Sequence, residues 1–286
     1  IRGVQAEVYA KLETMQPTGS FKVRGAIAAV AALGDADTRI VTASAGNHGL
    51  GTAYAATRLG VPATIFVPRS APSVKIERLQ GFDVDLRVEG DRYDDAEQLA
   101  LDFAADHGRF VSAYNDPHVI AGQATAVAEV AEALDTDFTV VVPVGGGGLL
   151  SGTAIGAERA AQRIDVVGVE TNQSQAFSAA VAAGRVVEVP VGPTIADGLA
   201  GNIEDGAITP GIAREYGVSL VDVGEDEIHA AVRQLAVEHG LVVEGSGAVG
   251  LAALVAGKVS ATGPVVLVLT GRNITAERLA GILAGE

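Results

Sequence analysis

Short apolar runs recur along the chain at 8–12, 39–43, 63–68, 82–88, 110–112, 139–144, 166–169, 219–223 and 265–269. Between most of them apolar positions return at helical spacing. The runs predict strands and the spacing predicts helices. Strand-then-helix alternation implies parallel strands joined by crossover helices. The runs at 139–144 and 265–269 are apolar almost without interruption, as in strands covered on both faces. Amphipathic helices are expected at 94–107, 123–134 and 225–238, the last opening on Glu225, Asp226 and Glu227, which suit a helix N-terminus. No internal repeat or heptad pattern interrupts this alternation, and the turns at 68–72 and 191–193 are too short to be linkers.

At 286 residues the chain has room for one large domain or two intertwined ones. Small side chains dominate and Trp is absent, which suits close helix-on-sheet packing, so the expected class is α/β. A formal charge of -15 with no basic patch argues against nucleic acid and anionic membranes as partners. With no cysteine, disulfides, thiolate catalysis and Cys-type metal sites are excluded. No run approaches the roughly 20 apolar residues of a membrane helix, and Ile1-Arg2-Gly3 carries no signal-peptide pattern. The expectation is a soluble, cytoplasmic protein.

Three segments carry candidate chemistry. Lys22, one of four lysines, follows the turn Thr18-Gly19-Ser20 between Phe21 and Val23. A lone lysine usually belongs to the solvated surface; a desolvated one has a lowered pKa and attacks carbonyls well. Ser44-Ala45-Gly46-Asn47-His48 ends the second strand and leads into a helix, where its amides and polar side chains can hold a carboxylate or simply cap an ordinary loop. Gly145-Gly146-Gly147-Gly148 follows the sixth strand. Its unobstructed amides form a phosphate cradle; a flexible linker, the alternative, would not follow a buried strand directly. A fourth turn, Thr270-Gly271, follows the last strand, and ligands of open α/β sheets bind at such carboxyl ends, so one shared crevice is expected. Amine, carboxylate loop and phosphate loop together suit an aldehyde cofactor bearing a phosphate, plus an amino acid; pyridoxal phosphate (PLP) has both features.

In this order, Gly19-Ser20-Phe21-Lys22-Val23-Arg24-Gly25-Ala26, Ser44-Ala45-Gly46-Asn47-His48 and the four glycines resemble the fold-type II PLP enzymes, in the threonine/serine dehydratase and serine racemase branch. The resemblance covers nearly the whole chain. It implies two open, twisted, mainly parallel sheets flanked by helices, like the tryptophan synthase β subunit, with the active site between two domains: 1–35 with 117–286 as a large cofactor-binding domain, and 36–116 as a small mobile one. By the same resemblance Lys22 is the Schiff-base lysine and the base for the Cα proton, and Asn47 is the partner of the ring hydroxyl. Gly145, Gly146, Gly147, Gly148 and Leu149 hold the phosphate, Thr270 faces the pyridine nitrogen, and Ser44, Ala45, Gly46, Asn47 and His48 bind the substrate carboxylate. Glu244-Gly245-Ser246-Gly247-Ala248 resembles a family segment near the ring. The implied activity is an ammonia-lyase that converts L-threonine, L-serine or both to a 2-oxo acid and ammonia by α-proton abstraction and β-elimination. Alternatives within the fold are a hydroxyaspartate dehydratase, a diaminopropionate lyase, a threonine synthase or a serine racemase; outside it, a nucleotide-binding dehydrogenase or a non-catalytic amino-acid sensor. A homodimer or higher homo-oligomer is expected.

Three departures sharpen these expectations. Racemases of the branch carry a second Ser where this chain has Ala45, and a methyl donates no proton, so racemisation is disfavoured. Glu170 matches the branch's cation-site glutamate, but Ser174 and Ala176 follow it, so no metal is expected. Only a short stretch precedes Lys22, where the family has a further strand and a Thr-Pro-Leu-like segment, so a truncated start is expected; nothing follows a helix at 275–283, so no C-terminal effector domain, and no regulation by isoleucine through one, is expected.

Overall fold

The computed structural model describes residues 1, 4–33, 38–261 and 263–285. They form two compact units, Ile1–Met15 with Ala124–Glu286, and Gln16–Gln123. The boundary expected at 35/36 lies outside the described residues; the two divisions fall at 15/16 and 123/124, the second where 116/117 was expected.

The chain enters the larger unit as β1 (Val8–Leu12) and a 3-10 turn (Glu13–Met15). The smaller unit follows as α1 (Lys22–Ala31), β2 (Ile40–Ala43), α2 (Asn47–Leu59), β3 (Ala63–Val67), α3 (Ser73–Gln80), β4 (Asp85–Val88), α4 (Tyr93–His107), β5 (Arg109–Phe110) and the start of α5 (Pro117–Ala133). Its four strands are parallel in the order β4-β3-β2-β5. Alanines four residues apart on α4, Ala96, Ala100 and Ala104, are buried against Val41, Ala43 and Phe66, and small side chains at that spacing let a helix lie close on a sheet. Helix α1 packs on α2, which ties Lys22 to the four-stranded sheet.

The rest of the larger unit is β6 (Phe138–Pro143), α6 (Gly148–Glu158), β7 (Ile164–Thr171), α7 (Ala176–Ala183), α8 (Thr209–Glu215), β8 (Ser219–Val223), α9 (Glu225–His239), α10 (Gly245–Val255), β9 (Val265–Leu269) and α11 (Ala276–Ala284). Its sheet is also parallel, in the order β1-β9-β6-β7-β8. Strands β6 and β9 are buried at every position, as their uninterrupted apolar runs require. Val141, Leu267 and Leu269 join Val249, Leu251 and Ala252 of α10 and Ile228 and Val232 of α9 in its core. Because β6 and β9 are neighbours, the turns at 145–148 and 270–271 leave the sheet from adjacent strand ends.

Some bounds differ from the sequence pattern for local reasons. The helix expected at 123–134 begins at Pro117, because Asp116 Oδ1 accepts the amides of His118 (2.8 Å) and Val119 (3.1 Å) while Pro117 has no amide to satisfy. The run at 82–88 contributes only Asp85–Val88; Phe82 and Val84 instead pack a turn against Ile65 and Leu79. Among the described residues no helix is long and apolar enough to cross a membrane.

Candidate functional site

In the smaller unit Lys22 is the first residue of α1, and among the described residues no side chain caps that helix start. Its Nζ donates to the carbonyl of Ala113 at 2.8 Å and lies 5.2 Å from the centre of the Phe21 ring. Burial lowers its pKa from 10.5 to about 8, because the charged ammonium loses solvation. The positive end of α1 acts in the same direction. A side chain at Gly51 would begin 3.1 Å from the Lys22 carbonyl carbon, so the bare glycine lets α1 lie on the start of α2.

That start is the turn at 44–48. Ser44 donates its amide to Phe66 O (3.0 Å), continuing the β2–β3 ladder, and its Oγ accepts the amide of Gly46 (3.1 Å). His48 is buried, and its Nε2 donates to Val111 O at 3.1 Å. A carbonyl only accepts, so the proton sits on Nε2 and Nδ1 is the acceptor. Burial, reinforced by Lys22, lowers the His48 pKa from 6.5 to about 3, so the ring stays neutral near pH 7. Carbonyls two residues apart in one loop, Val111 and Ala113, therefore receive His48 and Lys22 respectively. The structure brings these two predicted residues together in one unit.

Ser20 Oγ, Thr52 Oγ1 and both amide atoms of Gln123 are also buried here, with no hydrogen-bond partner among the described residues. Sequence reasoning did not single out Gln123. It reads there as one polar residue of an amphipathic helix, yet it is 1% exposed.

In the larger unit each glycine of the loop is held differently. Residues 198 and 199 fill the side-chain space of Gly145, whose Cβ would begin 3.1 Å from Gly198 O. Thr209 Oγ1 donates to Gly146 O at 2.7 Å. Gly147 has φ +82°, which disfavours any side chain, and its carbonyl accepts the amide of Ser151 (2.8 Å). Gly148 opens α6. None of the described residues accepts the amides of Gly146, Gly147, Gly148 or Leu149. These donors stand at the positive end of α6, an arrangement that suits an anion.

Thr270 is buried, and its hydroxyl bonds none of the described residues. Glu244, before α10, pins the turn that carries it: Glu244 N donates to Gly271 O (3.0 Å) and Glu244 Oε2 accepts the amide of Asn273 (3.0 Å). Two residues on, Ser246 Oγ accepts the amide of Gly198 (3.0 Å) and so fixes the segment against Gly145. Glu170 is 2% exposed, and its two oxygens accept the amides of Phe177 (2.9 Å) and Ser178 (3.1 Å). It caps α7, and burial raises its pKa despite those bonds.

The family model described as pyridoxal-phosphate dependent enzyme matches residues 2–271. An L-threonine ammonia-lyase of Thermotoga maritima is 41% identical over 272 residues, which span 94% of this chain and 67% of that protein. A catabolic L-threonine dehydratase of Escherichia coli is 34% identical over 284 residues, 97% of this chain and 86% of the relative. Among solved structures, the processed form of threonine deaminase isoform 2 from Solanum lycopersicum superposes with a TM-score of 0.90 at 31% identity, covering 97% of this chain and 78% of that one. The chain belongs to the pyridoxal-phosphate dependent enzymes.

Proposed function

We propose that this chain is a PLP-dependent ammonia-lyase that dehydrates L-threonine, L-serine or both, with Lys22 as its base. The observation that carries the reading is the Lys22 amine, brought to a pKa of about 8 and held on Ala113 O at 2.8 Å. An amine in that range is deprotonated often enough near neutral pH to attack an aldehyde and to take a proton. The remaining parts fit the cofactor: open amides at 146–149 for its phosphate, and the neutral Thr270 hydroxyl for the ring nitrogen. Bound PLP supplies the electron sink that acidifies Cα–H.

The chain's own residues do the rest. Lys22, once its amine is free, removes the Cα proton, and the Ala113 carbonyl holds one N–H so that the lone pair keeps its direction. Ser44 and the amides that open α2 hold the substrate carboxylate, with Asn47 beside them on the cofactor's ring hydroxyl. His48 remains neutral and braces the turn through Val111. Fixing the carboxylate aligns Cα–H, an orientational effect worth several kcal/mol. A racemase would need a second proton donor, whereas the Ala45 methyl packs against the apolar cluster of Leu50, Ala53 and Ile65. The relatives named as L-threonine ammonia-lyase and L-threonine dehydratase support the substrate class. A cytoplasmic homo-oligomer completes the reading.

Purified holoenzyme given L-threonine and L-serine should release 2-oxobutanoate or pyruvate with equimolar ammonia. Neither product from either substrate would overturn the reading.

A further inference from the structure

Thr209 lies in no motif, 63 positions from the glycine loop in sequence, yet its hydroxyl donates to Gly146 O at 2.7 Å. The residue is fully buried at the start of α8, a helix that packs against both α6 and α7. Across a planar trans peptide the carbonyl of one residue and the amide of the next point in opposite directions. Fixing Gly146 O on Thr209 therefore also fixes where the Gly147 N–H points. That amide donates to none of the described residues. Glycine has the widest backbone freedom of any residue, so four in a row would sample many peptide orientations unless something outside the loop chose one.

We propose that Thr209 is a positioning residue for the loop: its hydroxyl sets the Gly146–Gly147 peptide plane and aims the Gly147 amide at the cofactor phosphate. The inference rests on the reading that residues 145–149 hold that phosphate. It assigns Thr209 no contact with the reacting atoms. Ordering the loop in advance removes entropy that binding would otherwise have to supply.

The test uses Thr209→Val, which keeps shape and loses the donor, and Thr209→Ser, which keeps the donor. PLP affinity of the PLP-free protein and the phosphorus-31 resonance of bound PLP are the readouts. A lost hydrogen bond of about 1 kcal/mol corresponds to roughly fivefold in affinity. Thr209→Val should weaken PLP by about threefold to tenfold and shift the phosphorus resonance, and Thr209→Ser should restore both. Affinity and resonance unchanged in Thr209→Val would overturn the proposal. If Thr209→Val does not fold, Thr209→Ala makes the same comparison. Gly147→Ala distinguishes the role of Thr209 from that of the loop. Loss of PLP affinity in Gly147→Ala but not in Thr209→Val sinks the role of Thr209 alone; no loss in either sinks the phosphate reading of the loop.

Discussion

The ring of Phe177 occupies the space in which a side chain at Gly147 would begin. Phe177 is fixed there because its amide donates to the buried Glu170 carboxylate at 2.9 Å. A strand-end acid, a helix start and a loop glycine are thus mechanically linked within one unit.

Gly147→Ala should accordingly weaken PLP binding by at least tenfold. The φ of +82° costs an alanine about 1 kcal/mol, and the methyl must also displace a buried ring. Equilibrium binding to the PLP-free variant measures this. The melting temperature of the PLP-free form reports separately on folding.

Glu170→Ala leaves the amides of Phe177 and Ser178 without their acceptor at a buried helix start. Loss of such a cap costs about 1–2 kcal/mol, read as a lower denaturant midpoint. The burial that raises the Glu170 pKa makes Glu170→Gln the milder change, since the amide oxygen still accepts from one of the two donors.

The pH dependence of stability has a defined sign in the PLP-free protein. The folded state holds Lys22 at about 8 against 10.5 unfolded, so the unfolded chain binds the extra proton between those values and stability rises with pH across that window. Lys22→Met removes the buried charge. It should therefore be stabilising at pH 7 by up to roughly 3 kcal/mol, with the advantage disappearing as pH approaches 10.5. His48, at about 3 folded against 6.5 unfolded, makes stability fall as pH drops from 6.5 toward 3; His48→Gln should flatten that limb. Denaturant titrations at a series of pH values measure both.

Much of this was legible in the chain. All nine apolar runs contain strand residues; β2, β3, β6 and β9 are buried at every position, and such parallel strands leave an apolar run that needs no partner to be recognised. The lysine, the 44–48 turn and the glycines could be read because each is a local motif. What could not be read are the supports: Thr209 under Gly146 and Phe177 against Gly147. Each is a single residue of ordinary type, brought in by tertiary packing from tens of positions away, and no spacing rule marks it. Gln123 was hidden for a related reason, since one amide in a helix looks exposed until its neighbours are known to bury it.

The central claim is the role of Lys22. Borohydride reduction of the holoenzyme followed by peptide mapping tests it most directly: the account predicts a pyridoxyl group on Lys22, lost in Lys22→Ala. An adduct on Lys11, Lys75 or Lys258, or none on any lysine, would contradict it.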